Sequence, residues 1–328
     1  MTAEGFQTAG RAGQSESARR LSLPTARNLI LAATQNPVLD RWARRYGLRL
    51  GATRFVAGET LDDCVAVLRE LNAAGLLGYA IMLGESVTDR SQIDPTVAAY
   101  RDLTDRLSGE QLLTTMSMKL THLGMAIDEE LAFASAREIL LHAASRGMFV
   151  RLDMEDSRWV DATLRTYRRL REEGVSNTGI VLQAYLRRSL SDLDSLADLD
   201  VNVRVVKGAY LEPESVAFTS KRDVDANYLR LIDAALRKAR FTAVATHDAR
   251  ATEHTAKRIA GGFARGDGGY EFQMLYGVRP QLQRRLAGDG HAVRICVPYG
   301  EDWFVYFGRR LAERPANVLF VLRSLFKR

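Results

Sequence analysis

The chain has 328 residues, 46% of them apolar and 26% charged, which gives enough core-forming side chains for a globular protein and excludes a disordered or disulfide-stapled one. Its net charge of +6 is spread among mixed-sign stretches such as RDLTDRLSGE and LRTYRRLREEG, which marks solvated helix faces and a weak attraction to an anionic membrane surface, not a nucleic-acid site. The two cysteines, Cys64 and Cys296, lack the spacing of a metal knuckle or redox pair, and no stretch reaches the roughly 18 apolar residues of a membrane span, so a cytoplasmic protein with reduced thiols and no metal is expected.

In chain order, residues 1–20 are rich in Gly, Ser, Thr and Ala and predict a mobile tail. Residues 21–76 read as N-terminal helices: NLILAATQNPVLDRWARRYGL, then ETLDDCVAVLRELNAAG with Thr60 as N-cap and Gly75 as the stop. From residue 77 to 328, short apolar runs alternate with longer amphipathic segments, the pattern of an α/β domain. The strand candidates are YAIML, LTTMSMKL, MFVRLDM, GIVLQAY, VNVRVVKG, TAVATHD, YEFQMLY and AVRICVPYG. Between them, DEELAFASAREILLHAASRG, SRWVDATLRTYRRLREEG and DANYLRLIDAALRKAR carry apolar residues at helical spacing. Eight strands suit a closed (βα)8 TIM-type barrel with extra N-terminal helices. An open doubly wound sheet has the same periodicity, but no GxGxxG follows any strand.

Nearly every strand candidate ends in polar or ionisable residues: Lys119, Asp153 with Glu155, Gln183 with Tyr185, Arg204, Lys207 and Tyr210, Thr246 and His247, Glu271 and Gln273. In a barrel, strand C-terminal ends converge on one face, so a single pocket can collect them. Taken singly, each has a structural alternative, for a strand charge can be paired inside the barrel and a lone histidine is more often a satisfied core residue. Taken together, these residues suit three chemistries apart from redox. One is a Schiff-base enzyme using Lys207 or Lys119, one a glycosidase using Asp153 and Glu155, and one a non-catalytic barrel that binds a small acid.

Six blocks carry a family resemblance: RLDMEDS (151–157), VLQAYLRR (181–188), VRVVKGAYLEP (203–213), ATHD (245–248), EFQMLYGVRP (271–280) and PYGEDWFVYFGRRLAERPANV (298–318). In this order they resemble proline dehydrogenase, and a helical RFVAGETL segment is similar to its short bacterial members. The resemblance implies oxidation of L-proline to Δ1-pyrroline-5-carboxylate by hydride transfer to FAD, with a quinone as the acceptor that reoxidises it. It implies that Tyr306, Arg309 and Arg310 bind the substrate carboxylate, for which the planar guanidinium fork is suited. Lys119 and Tyr210 would lie beside the substrate, the latter as an aromatic wall, and Asp153 would help hold an arginine. Met154, Gln183, Arg204, Lys207, Gly208, Ala209, Thr246 and His247 would contact FAD, with Arg204 and Asp153 the two residues closest to catalysis. Val205 and Leu275 read as ordinary core. One departure concerns Cys296, which replaces a tyrosine of related sequences and predicts a roomier pocket.

Overall fold

The computed structural model describes residues 52–265, 268–304 and 306–308. Eight parallel strands close into a barrel in chain order: β1 Leu77–Met82, β2 Thr114–Met118, β3 Val150–Leu152, β4 Thr178–Gln183, β5 Asn202–Val206, β6 Phe241–Ala245, β7 Gly269–Leu275 and β8 Val293–Tyr299. Every strand candidate read from the sequence is therefore a strand. Each is shorter at its C-terminal end than the apolar run suggests, and β1 also begins two residues earlier, at Leu77.

Helix α1 (Leu61–Ala73) precedes the barrel, and α2 (Ile93–Gly109), α3 (Glu129–Ser145), α4 (Val160–Glu172), α5 (Ser189–Ser195), α6 (Lys221–Lys238), α7 (Ala249–Ala260) and α8 (Pro280–Gly288) follow β1 to β7. Thr60 caps α1 in a reciprocal box with Asp63, which satisfies two backbone N–H groups at the helix start. The stop falls at Gly75, whose φ of 75° is open to glycine at no steric cost. The RFVAGETL stretch is not helical: one 3-10 turn spans Ala52–Arg54 and an extended link runs on to Thr60. Its backbone is used instead to bond the last strand, Ala57 N–H donating to the Pro298 carbonyl at 2.9 Å. The predicted helix N-terminal to this lies outside the described residues.

Alternation along the strands decides what faces where. Ile180 and Leu182, Val203 and Val205, Ile295 and Val297 are buried and join the apolar layer between sheet and helices. Their alternates, among them Gln183, Arg204 and Cys296, turn into the barrel. Helix α1 packs over the β1–β8 junction, where Gly78 is needed because a Cβ there would come within 2.2 Å of Leu68. A second apolar cluster of Ala52, Phe55, Val56, Leu83, Trp303 and Phe307 covers the same junction at the C-terminal mouth.

Candidate active site

The C-terminal mouth holds a cavity of about 420 Å3 lined from seven of the strands or the loops after them. Its wall includes Lys119, Asp153, Met154, Gln183, Arg204, Lys207, Gly208, Ala209, Tyr210, Thr246 and His247, so the structure brings together eleven of the residues singled out in the sequence. Arg309 and Arg310 lie outside the described residues. Tyr306 is not among the lining residues and packs against the apolar cluster at the mouth.

Arg204 projects from the middle of β5 and is 5% exposed. Its Nη1 donates to Asp153 Oδ1 at 2.8 Å and its Nη2 to Ser117 Oγ at 2.8 Å. The guanidinium carbon lies 4.5 Å from the centroid of the Tyr79 ring, within cation–π range. Burial works against the charge, but Tyr79 and Asp153 offset it and hold Arg204 above the ordinary arginine range. Its Nε finds no hydrogen-bond partner, and neither does Oε1 of Gln273, another lining residue.

The other cations are paired as well. Lys207 donates to Asp225 at 2.5 Å and Asp248 at 2.8 Å. Burial opposes its charge, and the two carboxylates outweigh that and raise its pKa above the ordinary lysine value. A lysine held protonated is a poor Schiff-base nucleophile, so the geometry does not favour that reading. Lys119 donates to Glu85 at 2.5 Å.

The loop after β5 turns at Gly208, whose φ is 105° and where a Cβ would meet the Tyr185 ring at 2.1 Å. In the loop after β6, His247 Nε2 accepts the Leu275 N–H at 2.9 Å, which places the ring's proton of the neutral form on Nδ1. Thr246 Oγ1 accepts the Asp248 N–H at 3.1 Å and shapes the turn into α7. Gln183 is fixed by donation from Nε2 to the Glu155 carbonyl at 2.7 Å.

Four sequence expectations are corrected. Glu155 does not share the cavity with Asp153: β3 ends at Leu152, and the Glu155 carboxylate accepts from Thr121 N at 3.1 Å and Oγ1 at 2.6 Å, so no pair of carboxylates flanks a sugar site. Tyr185 lies behind Gly208, and Glu271 lies deeper in the barrel, where Arg294 Nε donates to it at 2.9 Å. Leu275 lines the cavity, whereas Val205 is core as expected. Cys296 is 1% exposed and is not among the lining residues, whereas Tyr79, its register partner on β1, is.

Sequence reasoning missed Tyr79, Ser117, Asp225 and Glu85. Tyr79 opens an apolar run and looks like core; only the strand register places it beside Arg204.

The profile of the family described as "Proline dehydrogenase" matches residues 64–323. The chain is 40% identical over 302 residues to "Proline dehydrogenase 1" of Bacillus subtilis (strain 168), covering 92% of this chain and 99% of that protein. It is 40% identical over 305 residues to "Proline dehydrogenase" of Deinococcus radiodurans, covering 92% and 98%. Among solved structures, the fold is similar to proline utilization A (PutA) of Bdellovibrio bacteriovorus inactivated by N-propargylglycine, with a TM-score of 0.75 and 23% identity over 88% of this chain and 35% of that one. PutA of Bradyrhizobium japonicum aligns with a TM-score of 0.67 and 22% identity over 88% and 33%. The structural likeness concerns the fold; the sequence matches span nearly the whole of the two bacterial enzymes, and on them the chain belongs to the proline dehydrogenase family.

Proposed function

We propose that this chain oxidises L-proline to Δ1-pyrroline-5-carboxylate in the cavity at the barrel mouth, with FAD as hydride acceptor and a quinone as the oxidant that regenerates it. The observation that carries this reading is the placement of Arg204, locked by Asp153, in the wall of a cavity lined by the residues that the family resemblance assigns to flavin and substrate.

The residues present suit a flavin. The lining offers donors and acceptors side by side in Arg204, Gln183, Thr246 and His247, and Arg204 Nε and Gln273 Oε1 are buried polar atoms that the protein leaves unpartnered. When bound, the flavin supplies a two-electron acceptor at N5 of its ring. Arg204 keeps a fixed positive charge in a nearly dry wall, where it favours the electron-rich reduced ring, and Asp153 prevents that charge from swinging away. Met154, Gln183, Lys207, Gly208, Ala209, Thr246 and His247 would hold the cofactor.

For the substrate, Arg309 and Arg310 bind the carboxylate with Tyr306, and Lys119 and Tyr210 border the pyrrolidine ring. The amine would react unprotonated, the form whose nitrogen lone pair assists departure of hydride from the adjacent ring carbon. Holding that carbon at the cofactor supplies the near-attack geometry. The net charge of +6 supports a peripheral contact with the anionic inner face of a membrane, where quinone is dissolved. No helix among the described residues is long and apolar enough to cross a membrane.

The test is an absorption spectrum of the purified protein before and after anaerobic addition of L-proline. Flavin bands that bleach with proline support the proposal. A protein that stays colourless after incubation with FAD, or bands that proline leaves unchanged, overturns it.

A further inference from the structure

Tyr79 stands apart from the residues that the reaction already uses. It is 5% exposed, lines the cavity, and lies on β1 directly opposite Cys296 of β8, with both side chains inside the barrel. Cys296, its register partner on β8 and 1% exposed, backs the ring on that side. Its face lies 4.5 Å from the Arg204 guanidinium carbon. Arg204 has two side-chain acceptors, Asp153 at Nη1 and Ser117 at Nη2, while Nε has none. Two bonds at one end of a planar fork fix that end; the ring face constrains the tilt of the plane. The contact joins the first strand of the barrel to the fifth, across the floor of the cavity.

We propose that Tyr79 is a positioning residue: buried beside Cys296, its ring holds the Arg204 guanidinium in the orientation that sets the reduction potential of the bound flavin. The proposal builds on the function given above. Tyr79 touches neither substrate nor reacting atoms in this role; it acts through Arg204.

The experiment compares the flavin-loaded wild type with Tyr79→Leu, Tyr79→Phe and Cys296→Ala, measuring the midpoint potential of the bound flavin and the separate kcat and KM for proline. Tyr79→Leu removes the π face, and its potential is expected to fall by about 30 mV, a tenfold change for a two-electron couple. Its kcat falls by up to about tenfold, the limit that shift sets, while KM changes little, because Arg204 acts on the acceptor and not on the carboxylate. Tyr79→Phe keeps the face and regains most of the potential. Cys296→Ala, which removes the thiol beside the ring and keeps its face, shifts it in the same direction by less. Should Tyr79→Leu fail to fold, the other two decide: a shift in either supports the proposal. Potentials equal to wild type in every folded variant overturn it, as does a rise in KM with kcat unchanged. Failure of the underlying function is seen separately, as wild-type flavin that proline does not reduce.

Discussion

Charge lies inside this barrel at two depths, and the two are treated differently. Toward the N-terminal ends of the strands, Arg151 donates from Nη2 to Asn202 Oδ1 at 2.6 Å and from Nη1 to the carbonyls of Asn202 and Ile180. Beside it, Glu271 accepts from Arg294 Nε at 2.9 Å and from Gln273 Nε2 at 2.6 Å, and Arg294 Nη1 donates to the Gly78 carbonyl at 2.8 Å. Burial, and then the charge of Arg204, press the pKa of Arg151 down to about 9, which leaves it protonated at neutral pH. At the mouth, Arg204 and Lys207 are also paired, but each borders a cavity, and Arg204 keeps an unpartnered Nε. Arg151, Glu271 and Arg294 have no unpartnered buried atom and serve the fold; Arg204 has one and borders the cavity. Pairing alone therefore does not tell structural charge from functional charge. The remaining polarity does.

The comparison is tested most severely at its lower level. Glu271→Ala strips the carboxylate from a buried Arg294 and is expected to destabilise the protein by about 3–5 kcal/mol in denaturant unfolding. The flavin spectrum of the molecules that remain folded should match wild type; a changed spectrum would mean that the two levels are not separate. At the upper level, Arg204→Met is expected to lower kcat/KM for proline by about 100- to 1000-fold, the range for removing one preorganised electrostatic contact. Anaerobic flavin reduction in a stopped-flow instrument reads it, and a loss under tenfold would move Arg204 to the structural level.

A third group sharpens the boundary. His122 lies in the loop after β2, its Nδ1 3.3 Å from the Tyr100 hydroxyl, and burial, followed by the charge of Lys119, pushes its pKa down to about 4 from 6.5. The unfolded chain takes up the proton first as pH falls. The stability from a neutral His122 is thus full above pH 6.5 and is lost between pH 6.5 and about 4, by up to about 3 kcal/mol. His122→Gln should flatten the dependence of unfolding free energy on pH across that window; an unchanged slope would assign it to other groups. The smallest effect is expected at Gly208, where alanine meets both a φ of 105° and the Tyr185 ring, for about 1–3 kcal/mol of destabilisation seen as a lower thermal midpoint. An alanine tolerated there without loss would show that the turn can move.

The strands were legible because each is a short run of β-branched and other apolar residues bounded by turns, and their number pointed to closure. The polar strand ends were legible as residues of the cavity wall for the same reason, since the apolar run stops where the barrel opens. Pairings were not. Arg204 and Asp153 are 51 positions apart, and Lys207 lies 18 and 41 positions from its two carboxylates, so only the register of neighbouring strands brings them together. Glu155 misled because strand alternation was extended past Leu152, where the chain leaves the sheet and turns the side chain toward Thr121. Helix α6 begins at Lys221, a turn before its apolar stripe, because Ser220 caps it by accepting the Asp223 N–H. Helix α5, seven residues long, is too short to show a stripe.

The junction of β1 and β8 has a consequence for how the chain is made. The Gly78 carbonyl meets Arg294 across 216 positions, and the Gly58 carbonyl meets the Gly300 N–H in the same seam. A chain emerging from the ribosome holds β1 as an unpaired edge until β8 arrives, and a product truncated before Val293 exposes two such edges, open to pairing with other chains. Closing so long a loop is slow. The cavity, walled from Tyr79 to Leu275, takes its final form only once β8 has been made, and a chain stalled short of β8 is work for a chaperone.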